Sequence, residues 1–252
     1  MSIFIFLLGT IIGSFLNVCI YRIPREESIL YPSSHCPNCG TPLHWYDLIP
    51  ILSYILQRGK CRYCRESISL QYPVIECLNG LLYLAIYNKF GLSMDFIFYG
   101  TIFSVLLIIS FIDLHFQIIP DFLNILILIL AIIYKTLQFT LYGISSNLFN
   151  SILALIISGG IFLIIVILSK GGMGGGDVKL IGVLGFILGI KMVLLNIFLS
   201  FILGAIISIF LLLFKIKERK DSIPFGPFIC LAFVATVFWG DLIINWYIIS
   251  FL

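Results

Sequence analysis

Charge is what this chain most lacks. Only 11% of its 252 residues are Asp, Glu, Lys or Arg, whereas 61% are hydrophobic and the mean hydropathy is +1.15. A soluble domain carries about 25% charged residues, so this composition excludes an ordinary soluble fold and points to an integral membrane protein. Nor is there an excess of one sign: the net charge of +3 is too small to argue for nucleic acid as a partner. No basic segment precedes the first apolar run, and Arg22 and Arg25 follow it, so the N-terminal stretch reads as an anchor helix rather than a cleavable signal. Neither glycine fingerprint for nucleotides is present, and no internal repeat is visible.

Against this background the apolar runs stand out. They cover 2–20, 73–90, 96–112, 122–142, 150–169, 178–190, 192–214 and 227–252, eight candidate helices, of which the sixth is short. The stretch 178–214 is too long for one crossing, and Gly189 with Lys191 offers a break; seven spans is the fallback. Eight crossings place the loops 21–72, 113–121, 170–179 and 215–226 on one face. Those loops hold Arg22, Arg25, Arg58, Lys60, Arg62, Arg65, Lys170, Lys179, Lys215, Lys217, Arg219 and Lys220, twelve of the fifteen basic residues, and leave Lys89, Lys135 and Lys191 opposite. By the positive-inside rule that face is cytoplasmic and both termini lie outside. The expected fold is an all-α polytopic membrane protein of about eight transmembrane helices with a small zinc-binding cytoplasmic insert. Its expected parts are an anchor helix (1–20), the cytoplasmic loop (21–72) and a helical intramembrane domain (73–252).

Four of the seven cysteines are grouped as Cys36-Pro37-Asn38-Cys39 and Cys61-Arg62-Tyr63-Cys64. Two C-x2-C turns at this separation suit one tetrahedral zinc ion, and Gly40 suits the tight turn of a knuckle. A pair of disulfides is the competing reading, disfavoured by a reducing cytoplasm. Four thiolates leave no open coordination position, so the site is structural, a staple for a loop too small to build much core. Cys19, Cys77 and Cys230 sit singly in apolar runs as small buried hydrophobes.

Two aspartates carry the chemistry. Asp113 ends the third run and Asp177 begins the sixth, both at the cytoplasmic side. A carboxylate at membrane depth costs roughly 2.5–3.5 kcal/mol on insertion scales and is normally kept for function. Two held close cannot both ionise cheaply, so they share a proton: one takes a proton from water while the other polarises a scissile carbonyl. That is the chemistry of an aspartic protease. The segment Gly171-Gly172-Met173-Gly174-Gly175-Gly176 beside Asp177 lets an extended substrate approach its backbone, with Gly174, Gly175 and Gly176 as candidate contacts. A flexible loop with Asp177 capping the next helix is the plainer reading. Asp121, after Pro120, occupies a helix N-cap position, and His115 is a loop histidine expected to be solvated. Glu76, inside the start of the second run where the helix dipole eases a carboxylate, is a further candidate for substrate binding.

These segments together resemble a family. Gly13-Ser14-Phe15-Leu16-Asn17-Val18, Tyr21-Arg22-Ile23-Pro24, the paired cysteines, Trp45-Tyr46-Asp47-Leu48-Ile49-Pro50, Arg58-Gly59-Lys60-Cys61-Arg62 and Tyr72-Pro73-Val74-Ile75-Glu76 occur in order. The Asp113–Asp121 segment, Gly174–Lys179 and Ile223-Pro224-Phe225-Gly226-Pro227 follow. In this order they are similar to the prepilin peptidases, or type IV leader peptidases, over nearly the whole chain. The resemblance implies that Asp113 and Asp177 are catalytic and that Cys36, Cys39, Cys61 and Cys64 bind zinc. It implies a prepilin or pseudopilin substrate, cut after a glycine at the cytoplasmic face of the bacterial inner membrane. It also implies methylation of the new N-terminus with S-adenosylmethionine, an activity the family associates with the N-terminal segment and cytoplasmic loop. A proton-coupled transporter using the same aspartates is the alternative, and a zinc-dependent assembly scaffold a third class; the scaffold predicts that Asp113→Asn and Asp177→Asn leave function intact.

Overall fold

The computed structural model describes residues 1–143, 147–169, 173–215 and 222–251. Lys170, Gly171, Gly172, Lys217, Arg219 and Lys220, all weighed above, lie outside the described residues. Among those described, the chain is all-α. Its helices are α1 (Ser2–Arg22), α2 (Leu52–Leu56), α3 (Gln71–Phe90), α4 (Met94–Phe116), α5 (Asp121–Tyr142), α6 (Leu148–Leu168), α7 (Gly175–Leu213) and α8 (Gly226–Phe251). The β content among the described residues is two isolated bridges, His35 with Pro42 and Lys60 with Ser67.

Six of these helices, α1, α4, α5, α6, α7 and α8, are long and apolar enough to cross a membrane, which makes the chain a multi-pass membrane protein. The second expected span, α3, is not among them. Gln71, Glu76, Asn79, Asn88 and Lys89 lower its hydropathy, and Glu76 and Asn79 are buried inside the protein rather than facing outward. On α1, by contrast, Ile3, Phe4, Leu7, Ile11 and Phe15 are exposed, as a lipid-facing stripe requires.

The chain forms two compact units, Met1–Ile108 and Ile109–Leu252. In the first, α1 and α3 pack at backbone distance. A Cβ at Gly13 would come within 2.7 Å of Glu76 Cα, and one at Gly9 within 2.8 Å of Gly80 Cα. Small residues at four-residue spacing permit this approach where lipid offers no hydrophobic driving force between helices. The Asn79 amide donates to Gly9 O (2.7 Å), and the Ser104 hydroxyl donates to Asn79 Oδ1 (3.1 Å). Arg22 is buried at the end of α1 and donates to the carbonyls of Ser28, Ile29 and Pro32, folding the chain back at the head of the insert.

In the second unit α7 packs against α5, α6 and α8. Its continuity is broken at Gly189, with φ +76° and ψ 171°, where the chain leaves helical geometry and re-enters it. The expected break therefore falls at the expected glycine. Asn150 of α6 supports it: Asn150 Oδ1 accepts from the Ile190 N–H (3.4 Å), which opens the second half of α7. A side chain at Gly189 would meet Asn150 Nδ2 at 2.6 Å on a backbone that disfavours any Cβ.

Candidate functional site

Both aspartates sit at helix ends in the second unit, because each closes or opens an apolar run next to a short connection. Asp113 lies in the last turn of α4 and Asp177 in the first turn of α7, each about 5% exposed (5% and 6%). They are brought together: Asp177 lies within the electrostatic field of Asp113. Each is also held by one backbone N–H at a helix start, that of α8 for Asp113 and that of its own helix for Asp177. Gly226, the first residue of α8, donates to Asp113 Oδ2 at 2.9 Å, and Gly174, the N-cap of α7, donates to Asp177 Oδ2 at 3.2 Å. The capping reading of Asp177 is thus correct as far as one oxygen goes. The other oxygen, Oδ1, is buried without a hydrogen-bond partner. A buried oxygen left so costs about 1–3 kcal/mol, more when charged, and such an atom in a native site calls for an explanation; a reacting water or carbonyl supplies one.

Two glycines lie beside the pair, one at each aspartate. A Cβ on Gly226 would lie 2.7 Å from Asp113 Oδ2 and 3.2 Å from Ile119 Cδ1, and one on Gly176 would lie 2.8 Å from Ile119 Cβ. The connection from α4 to α5 therefore runs beside both aspartates. Asp121 does not cap α5. Pro120 is the N-cap, Asp121 is the first helical residue, and its two oxygens accept from Lys179 Nζ, both at 2.7 Å. His115 is exposed, with its ring against Phe116.

The four grouped cysteines also converge, in the first unit. All are free thiols, and their sulfurs lie within 4.8 Å of one another. A tetrahedral ion with bonds of about 2.3 Å needs sulfurs about 3.8 Å apart, and Cys36 Sγ and Cys64 Sγ are 3.8 Å apart. The donor set thus fits a divalent ion, zinc among them. Each knuckle closes the same way: Gly40 N donates to Cys36 O, and Arg65 N to Cys61 O, both turning residues having positive φ. Asp47 ties the second knuckle to the loop between the two. Its carboxylate accepts from Arg62 Nε (2.8 Å), Tyr63 Oη (3.0 Å), Gln57 Nε2 (3.2 Å) and the His44 N–H (3.3 Å). Burial alone would raise the Asp47 carboxyl, but these hydrogen bonds outweigh it and hold the group below its usual range.

Two family models match, the Bacterial Peptidase A24 N-terminal domain over residues 7–90 and the Type IV leader peptidase family over residues 100–209. Over 97% of its length the chain is 36% identical to a prepilin leader peptidase/N-methyltransferase of Bacillus subtilis (strain 168), covering 96% of that protein. The chain belongs to the type IV leader peptidase family. Proteins of the same name from Legionella pneumophila (33% identical, 94% of this chain and 91% of that one) and Pseudomonas aeruginosa (31%, 96% and 91%) are also similar. No solved structure matches the chain significantly.

Set in this leader peptidase, the expected residues divide between the two units. Asp113, Asp177 and Gly174–Gly176 cluster in the second. Glu76 belongs to the first, where its buried carboxylate accepts from the Ile51 N–H (2.7 Å) and interacts with the Ser14 hydroxyl. Ile51 has φ +61°, unusual for a β-branched residue, and forms the centre of a tight turn in which Leu52 N donates to Pro50 O. Sequence reasoning missed Gly226, Ile119, the Lys179–Asp121 pair and the organising part played by Asp47. For Gly226 and Asp47 the available signal was membership in the quoted Ile-Pro-Phe-Gly-Pro and Trp-Tyr-Asp segments.

Proposed function

We propose that this chain removes the leader of type IV prepilins or pseudopilins at the cytoplasmic membrane face, after a glycine, with Asp113 and Asp177 as its catalytic residues, and N-methylates the new N-terminus. Peptidase and methyltransferase activity follow from family membership and from the name shared by its relatives. For the aspartates, the supporting observation is the buried, unpartnered Oδ1 of Asp177 within the field of Asp113. The pair shares one proton. Its ionised member takes a proton from water as that water attacks the scissile carbonyl, while its protonated member gives its proton to the carbonyl oxygen. The proton taken from water then passes to the leaving amine as the C–N bond breaks, and the gem-diol returns the other proton to the carboxylate that gave it. The N–H groups of Gly226 and Gly174 keep one oxygen of each carboxylate oriented meanwhile. Gly174, Gly175 and Gly176 are the backbone against which the extended substrate lies, and Glu76, in the first unit, is a further candidate for substrate binding.

The cysteine cluster is assigned a structural zinc, which when bound would cross-link the two knuckles of the insert. Purified protein is expected to contain one zinc per chain. Removing it with a chelator should make the 21–72 loop protease-sensitive while leaving the helical circular dichroism of the spans unchanged. A metal content near zero would sink the zinc assignment. S-adenosylmethionine is the expected methyl donor. The described residues hold no strand–helix cradle of the soluble methyltransferase kind.

We assign the chain to the bacterial inner membrane with eight crossings: α1, α3, α4, α5, α6, the two halves of α7, and α8. The basic loops and both aspartates then face the cytoplasm and both termini lie outside. Residues 1–20 form the anchor, 21–72 the methyltransferase-associated insert and 73–252 the peptidase part. Neither the site nor the relatives support transport by the same aspartates. The direct test is expression of the chain with a prepilin in membranes lacking other leader peptidases. Loss of the leader on a gel, and a mass gain of one methyl group on the mature product, are expected. An unprocessed prepilin that other leader peptidases do cut would overturn the proposal.

A further inference from the structure

One side chain touches both glycines that flank the catalytic pair. Ile119 Cβ stands where a Cβ on Gly176 would come within 2.8 Å, and Ile119 Cδ1 where one on Gly226 would come within 3.2 Å. Gly176 adjoins Asp177 in sequence, and Gly226 donates its N–H to Asp113. The side chain thus fills the space that two missing side chains leave beside the carboxylates. It is half-buried, so part of its surface is open to an incoming chain.

The backbone that presents Ile119 is fixed at both ends. At one end Gln117, with φ +55°, exchanges hydrogen bonds with Ser222, whose hydroxyl donates to Gln117 Oε1 at 2.8 Å while Gln117 Nε2 approaches Ser222 O at 3.4 Å. At the other end Asp121 is held by Lys179 through both oxygens, and Pro120 fixes the backbone between. An exposed ion pair adds little stability by itself. Its effect here is geometric: it pins the start of α5 to the start of α7, two residues beyond Asp177.

We propose that Ile119 is the specificity-determining wall of the cleavage site, setting how large a side chain the substrate carries at the residue before the scissile bond. The inference rests on the peptidase reading above. A carbonyl placed for attack between Asp113 and Asp177 brings its own Cα beside Ile119. A hydrogen there passes; a methyl or larger group meets the isoleucine.

The experiment measures kcat/KM for wild type, Ile119→Val and Ile119→Ala on three prepilin-like substrates that differ only in having glycine, alanine or leucine before the scissile bond. A pocket discriminates a single methylene by about 10–200-fold. Ile119→Ala is therefore expected to raise the alanine-to-glycine ratio at least about tenfold, and Ile119→Val to move it the same way by less. The leucine substrate should gain only with Ile119→Ala. If the ratio in the valine variant and in the alanine variant equals that of wild type, the assignment of Ile119 is overturned. Should the alanine variant not fold, the valine variant decides, since it trims only the atom nearest Gly226. Failure of wild type to cut the glycine substrate would instead count against the peptidase reading itself.

Discussion

Asp177→Asn is expected to abolish leader cleavage, with a fall of about 10²–10⁴-fold, the range over which general acid–base groups contribute. The substitution suits the site because it is nearly isosteric. The amide oxygen of asparagine can still accept from the Gly174 N–H, which the Oδ2 of Asp177 does now at 3.2 Å. The cap on α7 and the packing of the first turn therefore survive, and expression and helical content should match wild type. What disappears is the group that takes or holds the shared proton. Asp113→Asn should behave alike, since neither carboxylate serves without the other. Gel-resolved cleavage in membranes at matched expression reads the effect. Activity within about tenfold of wild type in the Asp177 variant would remove it from the mechanism and revive the scaffold reading.

Gly226→Ala is expected to lower cleavage by about a hundredfold while leaving the helices intact. The added Cβ would stand 2.7 Å from Asp113 Oδ2, so the carboxylate must retreat, and 3.2 Å from Ile119 Cδ1, so the neighbouring loop closes one way out. The Gly226 N–H survives the substitution, but the 2.9 Å hydrogen bond that aims the carboxylate does not keep its geometry. A displacement of about an ångström at a reacting group costs about 10² in rate. Single-turnover cleavage, which separates chemistry from substrate binding, is the appropriate measurement. A wild-type rate would mean that the Gly226 contact does not orient Asp113.

The sequence carried what depends on composition and spacing. The break at Gly189 was legible because a 37-residue apolar run must divide somewhere and only that neighbourhood offered both a glycine and a charge. The expectation that Asp113 and Asp177 lie at the same side came from counting crossings, and the thiol cluster from two matched C-x2-C turns. Partnerships between distant residues were not legible. Nothing local pairs Lys179 with Asp121, 58 residues away, so Asp121 read as a cap. A backbone donor such as Gly226 N–H has no side-chain signature, and Ile119 is indistinguishable from the isoleucines around it until its neighbours are known. Conversely α3 read as an ordinary span because its polar residues look dispersed; folded, Glu76 and Asn79 turn inward and hold the insert and α1.

The interruption at Gly189 also sets a length. The part of α7 that begins beside Asp177, residues 175–188, rises about 21 Å at 1.5 Å per residue, whereas the hydrocarbon interior of a bilayer is about 30 Å thick. A segment that short is matched by local thinning of the lipid around it. On the proposed eight crossings Asp177 is thereby borne on a segment short enough to draw the two leaflets together, which brings bulk water nearer to that carboxylate. Hydrolysis should accordingly run faster in vesicles of short acyl chains than in thick ones.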